Sequence, residues 1–226
     1  MNHMTQSIAD FFPILGIIFD MDGVLADTEP LSCLAFRKAI EEVVGFDMGE
    51  DYRPIIGLSL RDAVELISQK FGRSISSVEL QTISERKEEI YFQIAKGRLV
   101  RTVGLDNFLE WLSQSDIGFA IASSGSIDKI RFTLTELDLI DFFQNRYFSS
   151  SMVQKGKPFP DLFNYVAKKM GWPAEKVIVI EDSPLGIQAA IAANMIPIGL
   201  TSSFSFNILQ SAGARMIVQN FVELLP

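Results

Sequence analysis

The chain has 226 residues, 48% of them apolar and 21% charged, with 20 Lys+Arg against 28 Asp+Glu for a net charge of −8. That length and apolar share supply a large core and exclude a disordered chain, while an acidic balance without a basic run excludes the clustered Lys/Arg that nucleic acid requires. A single cysteine (Cys33) and a single histidine (His3, in a polar leader) exclude an intrachain disulfide and a cysteine zinc site and argue against a His-based triad or a His general base. Chemistry is left to carboxylates, lysines, hydroxyls and a hard metal.

Residues 11–19 form an apolar run broken by Pro13 and Gly16. It is too short to cross a bilayer and lacks the flanks of a signal peptide, so a soluble cytoplasmic protein with no membrane or nucleic-acid partner is expected. Within it, residues 14–19 (ILGIIF) are continuous enough for a strand buried on both faces. The run leads straight into FDMDGVLADTE, so Asp20 and Asp22 emerge at a strand end, the edge where open α/β sheets bind ligands. A carboxylate there is costly unless it is paired or binds a cation, although the pair alone also reads as a solvated acidic turn.

From residue 30 to about residue 98 no buried strand is evident. Residues 31–44 and 60–71 have helical periodicity, and 77–95 are rich in Glu, Lys, Gln and Ile, with Gly45, Gly57, Gly72 and Gly97 as punctuation. This predicts a helical unit over residues 30–99 inserted into a core of residues 1–29 and 100–226. Cys33 reads as a small apolar residue inside the first of these helices.

After that unit, short apolar runs at 118–122, 177–180, 196–200 and 216–218 alternate with helical stretches at 105–115, 127–137, 160–170 and 184–193. The alternation predicts an α/β fold with a doubly wound, Rossmann-like parallel sheet. The run at 118–122 opens into Ser123-Ser124-Gly125-Ser126, small residues able to offer N–H and O–H groups to an anion. Lys157 lies in KGKPFPD, held between a glycine and two prolines. The run at 177–180 ends in Glu181-Asp182 followed by SPLGI, a second acidic pair at a strand end.

Together these four stretches resemble the motifs of the haloacid dehalogenase superfamily. DxDGV/TLxDT/SE is present as residues 20–29, the Ser after an apolar strand as Ser123, the Lys before PxPD as Lys157, and the acidic pair with its SPxGIxAA continuation from Glu181 onward. The helical unit is similar to the small cap of the β-phosphoglucomutase-like and phosphoglycolate-phosphatase-like branch. The resemblance implies that Asp20 is a nucleophile and Asp22 a general acid and base, with Ser123 and Lys157 holding phosphate oxygens. It also implies Mg²⁺ bound by Asp20, the Asp22 backbone carbonyl and Asp182, with Glu181 acting through water. Asp22 points to phosphoryl transfer, because the dehalogenases and phosphonoacetaldehyde hydrolases that this chain resembles lack an acid there.

The implied activity is that of a phosphoric monoester hydrolase: a Mg²⁺-dependent phosphatase working through an aspartyl-phosphate on a small-molecule phosphate ester, a sugar phosphate or related metabolite. A β-phosphoglucomutase-type mutase and a catalytically silent phospho-metabolite-binding protein are the alternatives. A monomer is expected. Candidate substrate contacts are Ser124, Gly57, Arg61 and Lys87. Residues 56–61 (IGLSLR) resemble a cap segment that supplies an arginine, yet the matching position is Leu60 and Arg61 comes one residue late, a rotation of about 100° on a helix. Lys87 matches a substrate-facing lysine of the same branch, and reads equally as an ordinary surface helix charge. Ser32 stands where many relatives carry a histidine.

Overall fold

Strand β1 (Gly16–Phe19) is buried along its whole length, which is why its sequence is apolar without alternation. The computed structural model describes residues 7–47, 49, 55, 58 and 60–226. Five further strands complete one sheet: β2 (Gly118–Ser123), β3 (Tyr147–Ser149), β4 (Val177–Glu181), β5 (Ile196–Leu200) and β6 (Met216–Val218). Their order is β3-β2-β1-β4-β5-β6 and every pairing is parallel. Phe19 aligns with Ile121 on one side and Ile180 on the other.

Successive side chains of β1 enter different cores, as the two-residue period of a strand requires. Ile17 and Phe19 join an apolar cluster with Phe108 and Leu112 of α4 (Leu105–Ser113) and Ile130 and Leu134 of α5 (Ile127–Glu136). Ile18 joins the opposite cluster, with Phe163 and Val166 from the helix Asp161–Met170 and Ala189 and Ala190 from the helix Pro184–Ala192. The helices thus cover both faces, as the alternating pattern predicts.

Between β1 and α4 lie α1 (Glu29–Val44), α2 (Leu60–Phe71) and α3 (Ser77–Ala95). They share an apolar cluster of their own that includes Phe36, Ile40, Val64, Ile67, Ile83 and Tyr91. Helix α1 begins with a proline in its first turn and ends at Gly45, whose φ of 75° is left-handed; α3 opens with a capping box between Ser76 and Glu79. The block leans on the sheet domain through α5. The Tyr91 ring meets Phe132 at 6.0 Å between centroids, and its hydroxyl pairs with Thr133 Oγ1 at 3.3 Å.

The strand runs and helical stretches read from the sequence fall within two residues of the observed elements. Among the strands and α-helices of the described residues, three short ones were not legible: β3 and the helices Ile140–Phe143 and Phe206–Ala212. The strand has only three residues, too few to show a period.

The aromatic packing behind β1 gives a stability test. Phe108 is fully buried, with ring centroids 5.2 Å from Trp111, 5.2 Å from Phe221 and 6.1 Å from Phe19. Phe108→Ala should cost about 3–5 kcal/mol in denaturant unfolding. A loss below about 1 kcal/mol would contradict a tightly packed cluster.

Candidate active site

The chain leaves β1 toward β2 and β3, then returns to β4 on the other side of β1. Loops following β1 and β4 therefore diverge and leave a crevice at the carboxyl edge of the sheet. Asp20 stands at that edge, its N–H donating to the Ile180 carbonyl at 2.9 Å. Glu181 closes β4 and Asp182 follows it.

Lys157 joins the two strand ends. Its buried Nζ donates to Asp20 Oδ1 at 2.5 Å and to Glu181 Oε1 at 2.5 Å. The other Glu181 oxygen accepts from the Asp182 and Ser183 N–H groups at 3.0 and 2.9 Å and from Ser183 Oγ at 2.9 Å. Both Glu181 oxygens are thus engaged by the protein, making this residue an anchor for Lys157. Gly186 is required beside it, since a Cβ there would lie 1.8 Å from the Glu181 carboxyl. Gly23 does the same for Asp182: its φ is +76°, and a Cβ would lie 1.9 Å from Asp182 Oδ2. Asp182 Oδ2 accepts from the Ser203 hydroxyl, and no ammonium or guanidinium pairs with it among the described residues.

Asp20, Glu181 and Asp182 are all buried, with oxygens within 4.8 Å of one another. Burial, followed by the charges of Glu181 and Asp22, pushes the Asp20 carboxyl up to about 8 despite the neighbouring Lys157. Burial, then Glu181 and Asp20, holds Asp182 well above the usual carboxylate range. Burial opposes the charge on Lys157, but Asp20 and Glu181 outweigh it and hold the ammonium above its ordinary value. Three buried carboxylates around one ammonium leave excess negative charge on hard oxygen donors. That donor set fits a hard divalent cation of the Mg²⁺ type.

Asp22 has a separate cation. The turn after Asp20 folds back through bonds from the Gly23 N–H to the Ala26 carbonyl at 2.8 Å and from the Leu25 N–H to the Met21 carbonyl at 2.9 Å. The Asp22 carboxylate then accepts from the Thr28 hydroxyl and from Lys129 Nζ, at 2.7 Å on Oδ1 and 2.8 Å on Oδ2. Burial would raise Asp22, but Lys129 and the Thr28 hydrogen bond outweigh it and bring it below its ordinary value. Lys129 lies in the first turn of α5 and is absent from the candidates that sequence reading yields. Nothing in SSGSIDKI distinguishes it from a solvated helix lysine.

A cavity of about 150 Å³ opens between the sheet edge and the helical block. Asp20, Asp22, Lys157, Glu181 and Asp182 line it from the core, with Ser124, Gly125 and Ser126 beside them. Glu29, Cys33, Phe36, Leu60, Lys87 and Tyr91 line it from the helices. Burial and then Asp22 push Glu29 up to about 7; burial and then Lys129 hold Lys87 below its ordinary value. Cys33 Sγ lies 3.7 Å from Glu29 Oε2, its thiol pushed up by burial. Ser123 is fully buried and is not among the lining residues; its Oγ accepts from the Gly125 N–H at 3.0 Å. Arg61 is exposed at the start of α2 and does not line the cavity, because the one-residue offset turns it away from the face that Leu60 presents. Gly57 lies outside the described residues.

Residues 17–199 match the family of haloacid dehalogenase-like hydrolases. The chain is 31% identical over 207 residues to a phosphorylated carbohydrates phosphatase of Thermotoga maritima, covering 90% of this chain and 93% of that protein. It is 29% identical over 190 residues to the β-phosphoglucomutase of Bacillus subtilis, covering 81% and 82%. Among solved structures, a hydrolase from Pseudomonas syringae superposes with a TM-score of 0.85 at 28% identity, covering 93% of this chain and 95% of that one.

Carboxyls held above their ordinary range bind protons more tightly in the folded than in the unfolded chain. Their contribution to stability is present below their ordinary value of 3.8 and is lost as pH rises through about 8 for Asp20. The melting temperature of EDTA-treated protein should therefore fall between about pH 5 and about pH 8. A rise over that interval would contradict the excess of buried carboxylates.

Proposed function

Since the chain belongs to the family of haloacid dehalogenase-like hydrolases, we propose that it is a Mg²⁺-dependent phosphatase. Its substrate is a small phosphomonoester of the phosphorylated-carbohydrate type, hydrolysed through an aspartyl-phosphate. One observation carries this reading: Asp20 and Asp22 line the same cavity, each held by its own buried lysine. A nucleophile and a proton carrier are thereby fixed side by side.

Asp20 attacks phosphorus while the ester oxygen departs with a proton from Asp22, leaving the phosphoryl group on the Asp20 carboxylate. Water then attacks phosphorus, gives a proton to Asp22, and the bond to Asp20 breaks with its electron pair returning to the carboxylate. Lys157 offsets negative charge that develops on the phosphoryl oxygens. Ser124 and the N–H groups beside it line the same cavity and offer donors to those oxygens, with Ser123 supporting the turn from beneath. Asp20, Asp182 and the Asp22 backbone carbonyl would hold the Mg²⁺, with Glu181 anchoring Lys157 at their side. Bound there, the cation supplies the positive charge that lets a carboxylate approach a phosphate dianion.

Hydrolysis is favoured over transfer to a second sugar oxygen by the helical wall of the cavity. A mutase must grip a second phosphate, which a guanidinium does best. Here Leu60 lines the cavity, Arg61 is exposed, and among the described residues of the helical block Lys87 is the cation that lines it. The helical block over residues 30–99 acts in this reading as a cap that excludes water around the leaving group.

Asp20→Asn should abolish turnover of p-nitrophenyl phosphate and of sugar monophosphates, and Asp22→Asn should slow the sugar phosphates by about 10²–10⁴-fold. Appreciable turnover by clean Asp20→Asn protein would overturn the mechanism. EDTA should silence the enzyme, and added Mg²⁺ should restore activity and raise the melting temperature. Full activity in EDTA would remove the metal from the mechanism. Glucose 1-phosphate with bisphosphate primer should yield free phosphate, and efficient formation of glucose 6-phosphate would favour the mutase.

A further inference from the structure

The reading above uses Lys129 only as the cation beside Asp22, and its surroundings are unusually complete. The side chain is buried, 6% exposed, and Nζ spans both oxygens of Asp22 at 2.7 and 2.8 Å. The rest of its shell comes from the helical block: Ser32 Oγ of α1 at 3.3 Å and the Tyr91 ring of α3, whose centroid is 4.8 Å away. One ammonium therefore ties the loop after β1 to two helices of the block. Burying an ion pair returns little stability on its own, so packing alone gives no account of Lys129 in a cavity that Lys87 and Lys157 also line. Lys157 already serves Asp20, and Lys129 pairs with Asp22.

We propose that Lys129 is a positioning residue that aims the Asp22 carboxylate at the reacting oxygen, with Ser32 and Tyr91 holding the lysine in place. The inference rests on the aspartyl-phosphate reading. A single ammonium on both oxygens removes the torsional freedom that a carboxylate on a loop would otherwise keep, and proton transfer is steeply sensitive to such alignment. In the second step the water oxygen bonds to phosphorus, the water proton passes to Asp22, and the bond from phosphorus to Asp20 breaks. Without Lys129 the acceptor is no longer aimed, and this step slows.

The leaving group separates this role from a structural one. p-Nitrophenolate departs without a proton, so formation of the phosphoryl-enzyme from p-nitrophenyl phosphate does not need Asp22, whereas its hydrolysis does. The test is rapid mixing of Lys129→Met with that ester at saturating Mg²⁺, with folding checked by melting temperature. The expected result is a stoichiometric burst of p-nitrophenolate at close to the wild-type rate, then steady turnover slower by about 10²-fold. Should the Met variant not fold, Lys129→Gln, which keeps an N–H donor, is measured in the same way with the same expectation. Steady turnover at the wild-type rate, or loss of burst and steady phases together in a folded variant, would overturn the proposal. The aspartyl-phosphate reading fails separately: it falls if Asp20→Asn still turns over, whereas with Asp20→Asn dead either overturning result at Lys129 removes the role of Lys129 alone.

Discussion

A buried ammonium between two carboxylates organises this molecule. Lys157 reaches Asp20 and Glu181 at 2.5 Å each, bridging the ends of two adjacent strands at a depth where an unpaired charge would cost several kcal/mol. The bridge leaves unequal partners. Glu181 has both oxygens engaged, whereas Lys157 takes a single oxygen of Asp20, and Asp20 remains on the cavity wall. The same interaction thus fixes one carboxylate as a support and presents the other for chemistry.

Backbone constraints make that packing attainable. The reversal of strand order beside β1 separates the loops that would otherwise fill the crevice. Gly23 and Gly186 let the loop after β1 and the start of the helix Pro184–Ala192 come against Asp182 and Glu181, where any Cβ would collide. The helical block then supplies the opposite wall, and its contacts with α5 through Tyr91, Phe132 and Thr133 hold that wall beside Lys129. The result is a cavity of about 150 Å³ with carboxylates and ammonium groups on one side and mixed apolar and polar groups on the other.

Much of this was legible in the sequence because it is carried by local pattern. Buried parallel strands must be continuously apolar, so ILGIIF and VIVI announce themselves, and the acids at their ends, which alone read as solvated turns, gain meaning from the Ser and Lys stretches that accompany them. The helical segments of the block declared themselves through periodicity and terminal glycines. What escaped depends on the fold bringing distant groups together. Lys129 stands 107 residues from its partner, and no property of its own helix marks it. Ser123 could be recognised as the residue ending β2, but not that its hydroxyl would turn to the Gly125 N–H while Ser124 to Ser126 face the cavity. The exposure of Arg61 follows from a one-residue helical offset, which sequence raises as a question and only the packed helix answers.

The central claim is that Asp20 carries the phosphoryl group during turnover. The most direct measurement is rapid acid quenching of the enzyme with a substrate and Mg²⁺, followed by mass spectrometry of the peptide that contains Asp20. The account predicts that a fraction of this peptide gains the mass of one phosphoryl group, located on Asp20, in wild type and not in Asp20→Asn. Hydrolysis proceeding with no phosphorylated peptide at any quench time, in wild type and in a variant slowed at Asp22, would contradict it.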